Sequence, residues 1–260
     1  MAELSAQEES TVGQIKLTIS YDGTDFYGFQ AQNRQENPVR TVQGVLEKTL
    51  EKVVKTAVPV TGAGRTDAGV HAREQVVTFP ADGVIPVNRW PRLLNHRLPR
   101  DIVITGAEAV PATFHPRYDA VAKVYRYTIE TAEIPDIFTR RFSTHLPGPL
   151  DVGEMRAAAH HLVGTHDFTS FSAARAQVRH RVRTLKNITI RTDNTRIHIT
   201  FEGDGFLQHM VRILTGTLVE VGSGDIQAED VPHILAAKDR KAAGRTMPPE
   251  GLSLWQVKYS

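Results

Sequence analysis

The alternation of apolar and polar residues along this chain predicts a mixture of strands and amphipathic helices. Ile15 to Tyr21 (IKLTISY) alternates with a period of two, as a strand with one buried face does. Tyr21-Asp22-Gly23-Thr24 then reads as a turn. Thr41 is a suitable helix N-cap. Beyond it Val42, Val45, Leu46, Leu50, Val53 and Val54 share one helical face, and Glu47, Lys48, Glu51, Lys52 and Lys55 share the other. Val58 to Thr61 predicts a short strand running into a glycine-bearing loop, and Gln75 to Phe79 resumes strand character. A second block opens near Phe114. It holds a strand within Val121 to Thr131, then a capping box at Asp151 and Glu154 that opens a helix with Val152, Met155, Ala158, Ala159 and Leu162 inside. Leu185 to Ile190 and Arg196 to Phe201 read as strands joined by a polar turn at Asp193-Asn194. Phe206 to Val221 predicts an apolar helix, Asp230-Val231-Pro232 starts another, and Leu252 to Tyr259 closes with a strand.

Helices and hairpin-like strands in this order predict an α+β protein. The expected organisation is a polar tail over residues 1–13, an N-terminal domain over 14–112 and a C-terminal domain over 113–260. Each domain is expected to be a largely antiparallel sheet covered by helices. No repeat is visible by identity, although each half offers strand, long amphipathic helix and strand.

Composition narrows the chemistry. The 260 residues include no cysteine, which removes disulfides, thiolate metal sites and cysteine nucleophiles. Met1 to Ser10 is polar and acidic rather than leader-like, and no apolar run approaches the roughly 20 residues of a membrane span. A cytoplasmic protein without a membrane partner is the expectation. The net charge is only +2, but the charge is clustered. Arg175, Arg179, Arg181, Arg183 and Lys186 fall within twelve residues that contain no acid. Arg140-Arg141 and Lys238, Arg240, Lys241 and Arg245 add smaller groups. Such clusters are either solvated surface or the footprint of a polyanion.

The densest unusual stretch is Gly62-Ala63-Gly64-Arg65-Thr66-Asp67-Ala68-Gly69-Val70-His71-Ala72. Glycines let the backbone adopt conformations other residues avoid and let a second molecule approach. A carboxylate held there beside a guanidinium suits a nucleophile. Two plainer readings compete: a dinucleotide loop, whose third glycine would fall at Asp67, and a tight turn held by an Arg65–Asp67 pair. Tyr125 and Tyr127 share one strand face, where they either pack in a core or stack a base. Arg212, in Met210-Val211-Arg212-Ile213-Leu214, either lies on an exposed stripe or points into a cleft toward an acid such as Asp67. The histidines show no metal-ligand spacing, and no phosphate-binding loop or serine elbow is present.

Gly64-Arg65-Thr66-Asp67-Ala68-Gly69-Val70-His71-Ala72 resembles the catalytic signature of the TruA family of tRNA pseudouridine synthases. Further matches keep the family's order along the chain. They are Tyr21-Asp22-Gly23-Thr24 with Phe26, Gly28, Gln30 and Gln32, then Thr41-Val42-Gln43, Phe114-His115-x-Arg117 and Lys123-x-Tyr125-x-Tyr127. After these come His166 to Phe171, Phe206-Leu207-x-His209-Met210-Val211-Arg212 and Pro248 to Leu252. The likeness spans residues 14 to 260. Asn33 to Arg40 is longer than in many members, and Met247 stands where a small residue is commoner.

The resemblance implies a cofactor-free isomerase acting on uridines 38, 39 and 40 of the tRNA anticodon arm. It implies a homodimer that holds tRNA in a positively charged cleft between two domains. Asp67 would be the nucleophile, Arg65 would help extract the base, Tyr125 would stack on uracil and stand ready for its C5 proton, and Arg212 would pair with Asp67. The reaction moves no atom in or out, in keeping with the lack of a cofactor motif. An RNA-binding module would share the basic clusters without needing Asp67. A glycosidase-like hydrolase would require a second carboxylate that the signature stretch does not offer.

Overall fold

The computed structural model describes residues 13–32, 39–81, 84–173 and 180–260. These residues form one mixed sheet. Its strands are β1 (Gln14–Tyr21), β2 (Thr61–Gly62), β3 (His71–Pro80), β4 (Ile102–Val110), β5 (Ala120–Glu130), β6 (Thr144–His145), β7 (Gly164–Asp167), β8 (Val182–Asp193), β9 (Arg196–Gly203) and β10 (Leu252–Tyr259). The order across the sheet is β4-β1-β3-β10-β5-β9-β8-β7, with β2 beside β3 and β6 beside β5.

Both halves expected from the α+β pattern contribute largely antiparallel strands, and the two sets meet in a single continuous sheet. The joint is β10. It runs parallel to β3, with Ser253 opposite His71 and Leu254 opposite Ala72. On its other edge it runs antiparallel to β5, with Leu254 opposite Tyr125. The last strand of the chain therefore fastens the first strand set to the second.

The helices follow their sequence signals. In α1 (Val42–Val54) the Thr41 side chain accepts a hydrogen bond from the Gly44 amide, and Val42, Leu46 and Leu50 are buried. Full burial of each such side chain is worth roughly 1.5–3 kcal/mol. In α3 (Val152–Leu162) Asp151 caps the Glu154 amide, and Met155, Ala158, Ala159 and Leu162 are buried as the pattern required, whereas Val152 in the first turn is only partly buried. Proline occupies the first turn of α5 (Val231–Ala237). The short α2 (Trp90–Asn95) packs on β4; neither element carries a clear two- or 3.6-residue period. No helix among the described residues is long and apolar enough to cross a membrane.

Two boundaries differ from the pattern. Only Thr61 and Gly62 pair as strand before the glycine loop. The helix expected from Phe206 starts later, as α4 (Met210–Gly222), because His209 takes a left-handed conformation (φ 62°) at its N-cap. The residues before it turn instead. Phe206 thereby packs edge-on against Tyr125 at 4.9 Å between ring centroids.

Candidate active site

The loop between β2 and β3 carries Arg65, Thr66 and Asp67, and it is clamped by the segment after β1. The Phe29 amide donates to the Thr66 carbonyl (3.1 Å), and the Gly69 amide donates to the Phe26 carbonyl (3.2 Å). Tyr21 and Thr66 share a buried hydroxyl–hydroxyl bond of 2.8 Å. Gly28 makes this clamp possible. Its φ is +90°, and a Cβ there would lie 2.7 Å from the Thr66 carbonyl oxygen. Beyond the loop, buried His71 accepts from the Gly23 amide through Nδ1 (2.9 Å), and its Nε2 faces the Glu250 carbonyl at 3.2 Å. Burial pushes the His71 proton affinity below its ordinary value, against the opposing pull of Asp22. This favours the neutral ring, which donates from Nε2.

Asp67 meets two cationic or ionisable groups from the other strand set. Its Oδ2 lies 3.4 Å from Arg212 Nη1 and 3.6 Å from His209 Nε2. Arg212 is itself anchored: its Nε donates to the Met247 carbonyl at 2.6 Å, and its own carbonyl accepts from the Met247 amide at 3.2 Å. Almost every residue of α4 is buried, so the helix has no exposed stripe for Arg212 to occupy. The Arg212 side chain is 14 % exposed against 28 % for Asp67. Arg65 turns to Gln30 instead (Nε to Oε1, 3.1 Å), and the close contacts of the Asp67 carboxylate are with Arg212 and His209, so the Arg65–Asp67 turn is not what forms. Strand β3 follows the loop where a dinucleotide site would need a helix N-terminus.

Asp67 sits in a cleft of about 1070 Å³. Arg65, Arg117, Lys123, Arg183 and Arg212 line it, and among the described lining residues Asp67 is the single acid. Tyr125 lies in its wall. Burial, followed by the neighbouring Tyr21 and then Asp67, holds the phenol well above its ordinary range, so at neutral pH it is a proton-bearing aromatic surface rather than a phenolate. Tyr127, two residues along the same face, is core: fully buried, with its hydroxyl donating to the Pro248 carbonyl (2.8 Å) and sharing a bond with Thr144 (2.6 Å).

The basic run divides. Arg175 and Arg179 lie outside the described residues. Arg181 donates to Ser172 Oγ at 2.8 Å, whereas Arg183 faces the cleft. The smaller clusters are partly tied down, with Arg141 on Asp22 (3.3 Å) and Lys238 on Asp167 (3.0 Å). His209, Lys123 and Arg117 were not singled out as site residues from the sequence. The signal available for His209 is its position three residues before Arg212, and for Lys123 its position two before Tyr125 on the same strand face.

The model of the family described as "tRNA pseudouridine synthase" matches residues 17–119 and 158–260. A tRNA pseudouridine synthase A of Brevibacillus brevis is 46% identical over 246 residues, covering 95% of this chain and 99% of the relative. Those of Halalkalibacterium halodurans and Bacillus subtilis are each 48% identical. The first covers 92% of this chain and 90% of the relative, the second 95% and 99%. With most of its length matched in this way, the chain belongs to the tRNA pseudouridine synthase family.

Proposed function

We propose that this isomerase converts uridine to pseudouridine at positions 38, 39 and 40 of the tRNA anticodon stem-loop, with Asp67 as its nucleophile. The observation that carries the reading is Asp67 itself, the single described acid lining a cleft otherwise rich in cations, held 3.4 Å from an anchored guanidinium. Family membership supports the tRNA reaction, and the resemblance of the signature stretch supports the positions.

The base leaves its stack to enter the cleft. Asp67 attacks the nucleotide, at ribose C1′ or at C6 of the base, and the C1′–N1 bond breaks. The uracil turns, C1′ bonds to C5, the bond between Asp67 and the nucleotide breaks to restore the carboxylate, the C5 proton leaves and N1 gains one, so the product has the mass of the substrate. Arg212 balances the charge of Asp67 and aims it. Tyr125 offers a neutral ring edge and face against which uracil packs; its burial opposes the ionised form a phenolate base would need. Arg65, exposed at the cleft edge and bonded to Gln30 among the described residues, can swing into the space the base leaves. The reading extends to a cytoplasmic homodimer that holds tRNA across both subunits, with its domain boundary near Pro111.

Incubation with unmodified tRNA, followed by carbodiimide mapping and mass measurement, tests this. Pseudouridine at 38 to 40 with RNA mass unchanged is expected. Released uracil would indicate a hydrolase, and unaltered bound RNA a binding module.

A further inference from the structure

Several half-buried cations in this protein carry a carboxylate. Lys16 meets Glu108 at 2.8 Å, Lys258 meets Glu202 at 2.8 Å, and Arg196 meets Glu130 at 3.0 Å. Lys123 is an exception. It points from β5 toward the cleft, beside Tyr125. A Cβ placed on Gly64 would sit 3.8 Å from the Tyr125 hydroxyl and 4.0 Å from the Lys123 ammonium, so both groups border the loop that carries Asp67. Among the described residues no acid pairs with Lys123, Arg117 or Arg183, and all three line the cleft.

The two arginines are held in place. Arg183 Nη1 donates to the carbonyls of His180 (3.0 Å) and Val182 (2.6 Å), and its stem passes Gly205, where a Cβ would come within 3.4 Å of Nε. Arg117 lies over the Tyr118 ring at 5.8 Å, in a turn where its amide donates to His115 Nδ1. Half-buried Lys123 and Arg183 and exposed Arg117 are close enough for their like charges to repel, and among the described residues no acid pairs with them. An anion seated among them would relieve that repulsion.

We propose that Lys123, Arg117 and Arg183 form a seat for one backbone phosphate of the RNA strand, next to the uridine presented to Asp67. This rests on the reading of the cleft as the place where RNA enters. The seat would fix the strand at the nucleotide being turned, so that rotation of the base does not displace the ribose. A phosphate there offsets the repulsion that, after burial, lowers the Lys123 proton affinity to about 8.

The test uses full-length protein carrying Asp67→Asn to prevent turnover, with anticodon stem-loop RNAs in which one phosphate at a time is replaced by a neutral methylphosphonate. One replacement flanking the target uridine is expected to weaken binding by about tenfold, the scale of a lost charge-assisted contact. In a further Lys123→Gln variant that same replacement should weaken binding less than about twofold, because the contact is already gone. Arg183→Gln should blunt the same position. Thermal melting of each variant reports folding, and Lys123→Met serves if Lys123→Gln is unstable. If the losses from replacement and mutation add at every position, the seat is overturned. Competition by inorganic phosphate at fixed ionic strength, with indifference to every methylphosphonate, would mark a free-anion site and also overturn it. Failure of wild-type protein to form pseudouridine would instead sink the functional reading, since this assay reads binding alone.

Discussion

The two strand sets of the sheet bring different things to the cleft. The first, β1, β3 and β4, supplies the Asp67 carboxylate, the proposed nucleophile, on a loop whose shape is set by backbone: Gly28 at positive φ, amide-to-carbonyl bonds at Thr66 and Gly69, and a buried Tyr21–Thr66 bond. The second, β5 and β7 to β9 with α4, supplies side chains: Arg212 and His209 on Asp67, Tyr125 in the wall, Lys123 and Arg183 beside it. Neither set holds a complete site. The comparison teaches that the carboxylate and its counter-charge meet only because β10 fastens the two sets together, so the site depends on long-range assembly rather than on one motif.

Removing the contribution of the second set at its closest point should have the largest effect. Arg212→Met fits a buried helix but leaves the Asp67 carboxylate and the Met247 carbonyl without their partner, so folding stability should fall by about 1–3 kcal/mol. Turnover should fall further than that loss explains, by about 100-fold or more, the scale of a lost charge-stabilising contact at a reacting group. Arg212→Lys should recover only part of it, because lysine keeps the charge but not the fork that reaches both Met247 and Asp67. Single-turnover kinetics and melting temperature check both statements. Wild-type rates in Arg212→Met would show that the two sets do not cooperate through this pair.

Breaking the first set needs only a methyl group. Gly28→Ala puts a Cβ at 2.7 Å from the Thr66 carbonyl, at a φ that alanine avoids, and should cost about 1–3 kcal/mol. Loop displacement should lower turnover by about tenfold while RNA affinity, carried mainly by the other set, changes little. Equal losses in both would show that the division of labour is wrong.

How much of this was legible beforehand follows the same division. The loop is written in local signals: glycines at fixed spacing around one acid, with Thr41 capping the helix that follows its clamp. The strands β1, β5 and β10, the caps of α1 and α3 and the first-turn proline of α5 are equally local. The partners of Asp67 are not. His209 lies 142 positions away and Arg212 lies 145 away, counted along the sequence. An apolar helix pattern alone left Arg212 with two possible faces, and burial of nearly all of α4 removed one of them. The left-handed turn at His209 falls on a residue with no positional warning, which explains the misplaced helix start. The joining of two antiparallel sets into one sheet depends on β10 pairing with strands far from it in sequence, information that no window of residues holds.

Tyr125 sharpens the comparison. As a neutral ring packed on Phe206, it should tolerate Tyr125→Phe with turnover within about threefold of wild type, since stacking survives. Tyr125→Ala should lose turnover and about 3–5 kcal/mol of stability, as large-to-small aromatic changes in packed sites do. A severe defect in Tyr125→Phe with intact stability would restore proton transfer to the hydroxyl.

The smallest expected effect is one of pH. Burial, and then the charges of Arg117 and Arg183, lower the Lys123 ammonium to about 8. Its charged form dominates below that value and is lost above it. RNA affinity at constant salt should therefore fall several-fold more from pH 7 to 9 in wild type than in Lys123→Gln. Of the groups facing Lys123, the guanidinia do not deprotonate and Tyr125 stays protonated over this range. Identical pH profiles would separate Lys123 from RNA binding.

Asp67 is the group on which both strand sets converge. The most direct measurement is therefore single-turnover conversion of unmodified tRNA by Asp67→Asn, with tRNA affinity determined on the same preparation. The amide keeps the shape of the side chain and removes the nucleophile. Affinity within about threefold of wild type, with pseudouridine formation reduced more than about 1000-fold, is the predicted result. Conversion within about tenfold of wild type would contradict it, and the nucleophile would have to be sought elsewhere in the cleft.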